Sequence, residues 1–371
     1  MAALLYGALS FCASAVRAEL PVAGHDFAQP APTQPFVALI LPTKSRQLKA
    51  AADAVRDGVL AQQQLAGASG FPVRLFATGD GEAEASEQFV KAWESGAVAV
   101  IGPLTRSALA DMAGNVSYFP VPVLALNHFD ETMPRRNNLY SLSLSLEQDA
   151  AQLAQQMRED GVHKPLLIMT SSGAAAGLSG RMAQGFRAGW GEDLPALEWR
   201  NAQLDGRGLK AQLAGHDAVF LALDVRTASQ VRPYLGSGRA IYATSQIDPG
   251  RHAGMLLIDL AGIRYLEAPW LAEPDLPEFA AYGRTRSPAN DIERLFALGA
   301  DAWIVAQKLA RGETLRDEPG LSGVLTLGED QVVRRELVVR TMVVNVAPVA
   351  TPVPTAEPVP IEALPFPFSQ P

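Results

Sequence analysis

Continuous apolar runs alternate with amphipathic segments along most of the chain. The first run covers residues 37–41 and is followed by apolar residues at helical spacing, and residues 98–101 and 123–126 begin further cycles of the same kind. Strands that are apolar on both faces and that alternate with helices are typical of parallel sheets covered by helices on both sides. The pattern therefore predicts an α/β protein built on doubly wound parallel sheets.

The pattern changes at residues 139–146, where polar and apolar residues alternate as they do in a strand that crosses between lobes. A second strand–helix series begins at residue 166. Residues 263–269 are interpreted as a second crossing, and a helix over residues 292–309 is expected to return to the first lobe. Residues 323–327 and 332–344, separated by Gly328-Glu329-Asp330, are predicted to form a β-hairpin that supplies a third crossing. The sequence thus predicts two doubly wound parallel-sheet lobes joined by three crossovers, with a cleft at the strand ends.

The predicted domain boundaries follow from these changes of pattern. They assign residues 1–18 to a signal peptide, 19–35 to a proline-rich leader, 36–141 and 268–320 to the first lobe, 142–267 and 321–345 to the second lobe, and 346–371 to a disordered tail. The tail is rich in proline and has polyproline-II character. We interpret it as an inert solvated end, with a partner-binding motif as the alternative.

The amino-terminal segment predicts export. Residues 2–16 are apolar apart from two serines, and small residues suit a signal-peptidase cut after Ala18. The alternative is lipoprotein processing with Cys12 as the lipidated residue, although Phe11 is bulky at the position before the cysteine. The apolar stretch is too short to span a bilayer, and no other segment is long and apolar enough. We therefore expect a periplasmic protein without a transmembrane span.

Composition and charge narrow the function classes. The chain has 371 residues, of which 48% are hydrophobic and 19% charged, and its formal net charge is −8 without a dense run of Lys or Arg. A nucleic-acid-binding protein would carry a basic stripe, so we expect no nucleic-acid partner. The single cysteine excludes an internal disulfide and a cysteine-rich zinc site.

Reactive constellations are scarce in the sequence. The five histidines are scattered, Walker and Gly-x-Ser-x-Gly motifs are absent, and residues 177–180 have the wrong spacing for a nucleophile elbow. Residues 79–81 are interpreted as a turn and not as a metal loop. His128 follows a predicted strand. We interpret it as a loop residue or hydrogen-bond partner, and a functional role is the alternative. We therefore expect no catalytic residue, no metal and no cofactor.

Hydroxyl and amide side chains just past the predicted strand ends are the candidate ligand-binding groups. Free backbone N–H groups and the helix dipole at such positions attract carboxylate or phosphate oxygens, although the same residue types are ordinary helix caps. Asp301 is predicted either to bind an amine or to cap a neighbouring loop. For Trp270 we favour core packing, and the alternatives are stacking on a sugar or closing the hinge. The predicted cleft residues are Thr43, Thr105, Arg106, Asn127, Ser145, Ser171, Ser172, Thr244, Ser245 and Trp270.

Several stretches in a fixed order resemble one family. They are residues 37–42, 54–59, 100–106, 124–127, 139–143, 241–245, 268–271, 294–301 and 321–327. Together they resemble the LppC/LpoA-type bacterial lipoproteins that activate penicillin-binding proteins. The resemblance implies a type I periplasmic-binding-protein fold, a place in the cell envelope tethered to the outer membrane, and stimulation of a bifunctional penicillin-binding protein that builds peptidoglycan. Longer members carry a helical, repeat-built amino-terminal domain, whereas the match here begins at Phe36.

Three functions are weighed. The first is a non-catalytic envelope regulator of peptidoglycan synthesis whose partner is a penicillin-binding protein, as the resemblance implies. The second is a periplasmic receptor for an amino acid or amide that binds in the hydroxyl-lined cleft. The third is an enzyme, which rests on the cleft alone and ranks last.

Overall fold

The computed structural model describes residues 34–81, 83–130, 132–191, 194, 196–200, 206–250, 259–283 and 287–343. The predicted signal peptide with Cys12, the leader up to residue 33 and the tail from residue 346 lie outside these residues. None of the helices in the described part is long and apolar enough to cross a bilayer.

The described residues form strands and helices that alternate from the start. The strands are β1 (Phe36–Leu41), β2 (Val73–Ala77), β3 (Ala97–Ile101), β4 (Val123–Ala125), β5 (Leu139–Leu142), β6 (Pro165–Met169), β7 (Ala196–Glu198), β8 (Ala218–Ala222), β9 (Ala240–Ala243), β10 (Arg264–Glu267), β11 (Glu318–Pro319), β12 (Val324–Leu327), β13 (Val332–Glu336) and β14 (Val338–Thr341). The helices are α1 (Lys49–Ala66), α2 (Glu84–Glu94), α3 (Arg106–Asn115), α4 (Leu146–Glu159), α5 (Ala176–Trp190), α6 (Gly206–Leu213), α7 (Val225–Val231), α8 (Pro269–Ala272) and α9 (Asn290–Arg311).

The first sheet has the strand order β11-β12-β13-β5-β4-β3-β1-β2. Its strands from β5 to β2 are parallel, and β1 is buried along its whole length because helices cover both of its faces. Leu39 and Val55 belong to the core under α1 and α9, whereas Ile40 and Phe89 belong to the core under α2 and α3. This sheet with its four helices is called the first lobe.

The second sheet has the strand order β14-β10-β9-β8-β6-β7, and all of its pairings except that of β14 are parallel. Leu221 lies in the core on one face and Phe220 in the core on the other, because successive side chains of a strand point to opposite faces. This sheet with α4–α7 is called the second lobe. The predicted fold class, two doubly wound lobes joined by three crossovers, is confirmed.

One domain boundary differs from the prediction. Residues 321–345 are assigned by the sequence to the second lobe, but β12 and β13 pair antiparallel as a hairpin within the first sheet, where β13 lies beside β5. The apolar side chains of Leu325 and Val333 pack into the first core, which fixes the hairpin there. The predicted long second strand is divided at Leu337, and only β14 joins the second sheet. The third crossing is therefore the link between β13 and β14.

Candidate functional site

The carboxyl ends of β1 and β3 in the first lobe hold three of the predicted ligand groups. Thr43 is half-buried directly after β1. Thr105 caps α3, since its hydroxyl accepts a hydrogen bond from the Ala108 N–H at 3.3 Å, and it lines a cavity of about 80 Å³. Arg106 is exposed and its guanidinium donates to the Asp130 carboxylate at 3.0 Å. Of these groups, Thr105 and Arg106 are already engaged within the protein.

Asn127 follows β4 and also serves the local backbone. Its Nδ2 donates to the Leu104 carbonyl at 3.0 Å and its Oδ1 accepts from the His128 N–H at 3.0 Å. The Ser141 hydroxyl in β5 donates to the Asn127 carbonyl at 2.7 Å. These bonds hold the ends of β3, β4 and β5 together, so the Asn127 amide has a structural role in this arrangement.

In the second lobe, Ser145 is buried and caps α4, accepting from the Gln148 N–H at 3.3 Å as the spacing predicts. The Ser171 hydroxyl is exposed and donates to the Glu198 carboxylate, whose pKa lies below its usual value because of hydrogen bonds from Arg200 and Ser171. Ser172 is also exposed, after β6. Exposed hydroxyls therefore remain at the end of β6.

Four of the predicted cleft residues, Ser145 among them, are buried, and Trp270 packs in the core instead of lining the cleft. The Trp270 indole has no exposed surface, donates to the Glu293 carboxylate at 2.8 Å and packs against the Phe296 ring at a centroid distance of 5.5 Å. A fully enclosed ring cannot stack on a ligand, so the favoured interpretation, core packing, is confirmed. The Thr244 hydroxyl is turned inward to the Met182 sulfur at 3.0 Å, and Ser245 is buried as well.

His128 lies among charges from both lobes. Burial lowers its pKa, Arg181 and Arg106 lower it further, and Glu147 and Asp130 oppose this. Glu147, in the first turn of α4, accepts two hydrogen bonds from Arg181 at 2.6 and 2.9 Å. Burial would raise the pKa of Glu147, but the hydrogen bonds and charge of Arg181, a backbone hydrogen bond and the Ser145 hydroxyl together outweigh it, and the pKa is lowered. This part of the cleft thus presents paired charges and an imidazole whose pKa is lowered.

Sequence reasoning missed a buried cluster of charges at the crossovers. Arg335 of β13 donates to the Asp149 carboxylate at 2.8 Å, to the Ser143 carbonyl at 2.9 Å and to the Ser322 carbonyl at 3.0 Å. Asp149 lies in α4, so this pair joins the two lobes. The signal in the sequence was weak, because Arg335 stands between Arg334 and Glu336 and the apolar residues on its face of the strand, Val333 and Leu337, are two positions away.

A second buried pair lies at the second crossing. Arg294 of α9 donates to Glu267 of β10 at 2.6 Å and to the carbonyls of Ser245 and Asp248, both at 3.0 Å. Both ion pairs line one cavity of about 160 Å³, whose wall also includes Leu144. All side-chain nitrogens of Arg294 are bonded to the protein, so the cluster ties the lobes together and is not arranged to bind an anion.

Asp301 caps a loop, as one of its two predicted roles requires. Its carboxylate accepts from the N–H groups of Leu321 and Ser322, both at 2.7 Å, and from the Ser322 hydroxyl at 2.5 Å. Burial raises the pKa of Asp301 to about 6, and these hydrogen bonds limit the rise. The loop at 320–323 joins β11 to β12 and so leads into the hairpin that holds Arg335.

The site as a whole offers binding surface and internal hydrogen bonds. Among the described residues no three His, Cys, Asp or Glu side chains lie close enough together to hold a metal ion.

Two lobes with parallel sheets, joined by three crossovers and facing one another at their strand ends, define a protein of the type I periplasmic-binding class. The chain belongs to the family described as "LppC putative lipoprotein", whose model matches residues 24–194 and 197–340.

Named relatives and solved structures agree with this family and fold. The penicillin-binding protein activator LpoA of Klebsiella pneumoniae is 26% identical over 296 residues, which are 68% of this chain and 41% of that protein. The LpoA C-domain of Haemophilus influenzae, a regulator of PBP1A, has a TM-score of 0.68 at 21% identity and covers 82% of this chain and 96% of that domain. A Chromobacterium violaceum structure, provisionally named a branched-chain amino acid ABC transporter, has a TM-score of 0.70 at 33% identity, over 82% of this chain and 99% of its own. This chain thus spans about two fifths of the Klebsiella activator.

Proposed function

We propose that this protein activates a penicillin-binding protein by binding it in the cell envelope, and that it catalyses no reaction itself. The observation that carries the proposal is the match of the family model to residues 24–194 and 197–340, together with a relative that is named as a penicillin-binding protein activator. The residues that the family model matches include both lobes. We therefore assign the regulatory contact to the lobes.

The hydrogen bonds that the cleft side chains already make within the protein support a binding role for the outer surface. Most of the polar groups at the strand ends cap helices or bond to neighbouring loops, as Thr105, Asn127 and Ser145 do. The two buried ion pairs at the crossovers join the lobes through side chains that are almost fully enclosed. Partner proteins generally bind surfaces that change little on association, and a braced pair of lobes provides such a surface.

The test is reconstitution with a purified bifunctional penicillin-binding protein. We expect this chain to bind the synthase and to increase its rate of glycan polymerisation, measured with a fluorescent lipid-linked precursor. A monofunctional transpeptidase, which lacks the polymerising domain, is the control and its activity should not change. Absence of both binding and stimulation, with a folded protein, would count against the proposal.

We propose further that the protein faces the periplasm and is tethered by a lipid on Cys12. The support is the family description as a lipoprotein and the position of Cys12 within the apolar amino-terminal segment. Metabolic labelling with an alkyne fatty acid should label the wild-type protein and not Cys12→Ser. Equal labelling of both proteins would show that the anchor lies elsewhere.

A second candidate function is a small-molecule receptor. It is favoured by the 33% identity to a protein provisionally named a branched-chain amino acid transporter, and by the exposed hydroxyls of Ser171 and Ser172 at a strand end. A ligand at a hundred times its dissociation constant stabilises a fold by about 2.7 kcal/mol. A thermal-shift screen of amino acids, amides and muropeptides should then give a hit, and a screen without one would argue against this function.

A further inference from the structure

A groove outside the cleft runs between α4 of the second lobe and the β12–β13 hairpin of the first lobe. Its volume is about 430 Å³, which falls within the range of roughly 300–1,000 Å³ that is usual for ligand sites. One wall is a face of α4, and the other carries Val324, Thr326, Arg334 and Glu336. Neither the predicted cleft residues nor the proposed activation uses this groove.

The α4 wall is a stripe of amides. Gln148, Gln152, Gln155 and Gln156 recur at helical spacing and are continued by Glu159, so they share one face of the helix. The Gln152 Oε1 accepts from the Leu337 N–H at 3.2 Å, and the Gln156 Nε2 donates to Asp160 at 3.2 Å. Within the described residues the side-chain amides of Gln148 and Gln155 have no hydrogen-bond partner. Each therefore offers a donor and an acceptor to the groove.

The charges of the groove are unequal. Arg334 is paired with Asp330 at 2.8 Å on the exposed surface, and Arg335 is paired with Asp149 at 2.8 Å in the interior, so each cation has a carboxylate partner. The carboxylates of Glu159 and Glu336 are exposed and have no ion pair or hydrogen bond within the described part of the chain. The groove therefore presents a net negative charge. Glu159 supplies it at one end of the amide stripe, and Glu336 supplies it on the opposite wall.

The length and lining of the groove decide the class of ligand. From Gln148 to Glu159 the helix rises by about 16 Å, at about 1.5 Å per residue, and an extended chain covers that distance with about five residues. Small-molecule sites are lined mainly by apolar and aromatic side chains, whereas this lining, among the described residues, contains no aromatic ring. Side-chain amides match the alternating N–H and C=O groups of a peptide backbone.

We propose that this groove binds an extended peptide segment of about five residues that carries at least one Lys or Arg side chain. The amides of Gln148 and Gln155 bond to its backbone, and Glu159 and Glu336 pair with its basic side chains. Because α4 and the hairpin belong to different lobes, the bound segment would contact both. The proposal does not depend on the synthase being the partner, since it concerns the groove of the isolated protein.

The test measures binding of capped pentapeptide pools to the full chain by isothermal titration calorimetry. One pool has Lys fixed at positions two and four, the other has Glu there, and the remaining positions are randomised over small polar residues. We expect saturable binding of the Lys pool alone. The variant Gln148→Leu/Gln155→Leu should weaken it at least tenfold, and Glu159→Gln/Glu336→Gln should weaken it and reduce its dependence on salt.

Matched controls separate the groove from the general negative charge of the protein, which is −8. Gln64→Leu alters an exposed amide of α1, and Glu87→Gln/Glu94→Gln removes two exposed carboxylates of α2, so neither should change binding. Binding that falls equally in the α2 variant, or that survives in both groove variants, would overturn the proposal. So would a Lys pool that does not bind. None of these results would bear on activation of the synthase, which is measured separately.

Discussion

The guanidinium of Arg335 in β13 lies 2.8 Å from the carboxylate of Asp149 in α4, and the two side chains are only 3% and 12% exposed. The first belongs to the first sheet and the second to the helix that opens the second lobe. Arg335 also donates to the carbonyls of Ser143 and Ser322. A single side chain therefore connects the first crossing, the loop before the hairpin and the second lobe.

Replacement of Arg335 by methionine should be strongly destabilising. Removing one partner of a buried ion pair leaves the other charge unpaired, which typically costs about 3–5 kcal/mol. We expect the free energy of unfolding in urea, followed by circular dichroism, to fall by that amount in Arg335→Met. The double variant Arg335→Met/Asp149→Leu should recover part of the loss, because it removes the unpaired carboxylate. A double variant less stable than the single one would contradict this account.

Asp301 should give the stability of the protein a pH dependence of its own. Burial raises its pKa to about 6 from 3.8, so the folded state holds a proton that the unfolded state releases between these values. Its contribution to stability is full below about pH 4 and is lost as the pH rises to about 6. Asp301→Asn should be less stable, by about 1–3 kcal/mol, because its NH₂ group would face a backbone N–H.

The check on Asp301 is the difference between two urea-unfolding curves measured from pH 4 to pH 7. The wild type should lose stability over this range relative to Asp301→Asn, which cannot titrate at that position. Other carboxylates cancel in the difference, since both proteins contain them. Parallel curves for the two proteins would show that Asp301 keeps an ordinary pKa in the fold.

The architecture was predictable because the strands that form it are apolar on both faces. The run at 37–41 became β1, which is fully buried, and the first crossing falls where the alternation changes at 139–146. The hairpin was predicted as an element, but it was assigned to the wrong lobe. The residues on either side of Leu337, which form β13 and β14, have the same local pattern, so the sequence does not show that they join different sheets. Packing of Leu325 and Val333 into the first core decides where the hairpin pairs.

The site was less predictable, because residue type cannot tell whether a polar group is already bonded. Thr105 and Ser145 satisfy helix ends, and Trp270 packs in a core where its indole bonds to Glu293. The buried pairs of Arg335 and Arg294 join segments that are more than twenty residues apart in sequence, so no local spacing announces them. The same limit applies to the groove along α4, whose other wall lies far along the chain.

His128 should report on the charges that face it from the second lobe. Burial, Arg181 and Arg106 lower its pKa, whereas Glu147 raises it. Removing the Arg181 charge takes away one lowering effect and releases Glu147 from its pair, so both changes act in the same direction. In Arg181→Gln the pKa of His128, measured by NMR titration of its ring protons, should rise. Arg226→Gln, on an exposed position of α7, should leave it unchanged, and a lower value in Arg181→Gln would contradict the placement of these charges.

Two glycines of α5 should respond in opposite ways to the same substitution. A Cβ at Gly185 would lie 2.2 Å from the Glu147 carbonyl oxygen of α4, whereas a Cβ at Gly180 would meet nothing within 4 Å. Alanine is favoured over glycine inside a helix by up to about 1 kcal/mol, so Gly180→Ala should be neutral or stabilising. Gly185→Ala should lose about 1–3 kcal/mol, because α4 and α5 would have to separate. Urea unfolding of the two variants beside the wild type gives the comparison. Both positions lie in α5 and undergo the same substitution. Equal effects would therefore mean that α4 lies farther from Gly185 than the structure shows.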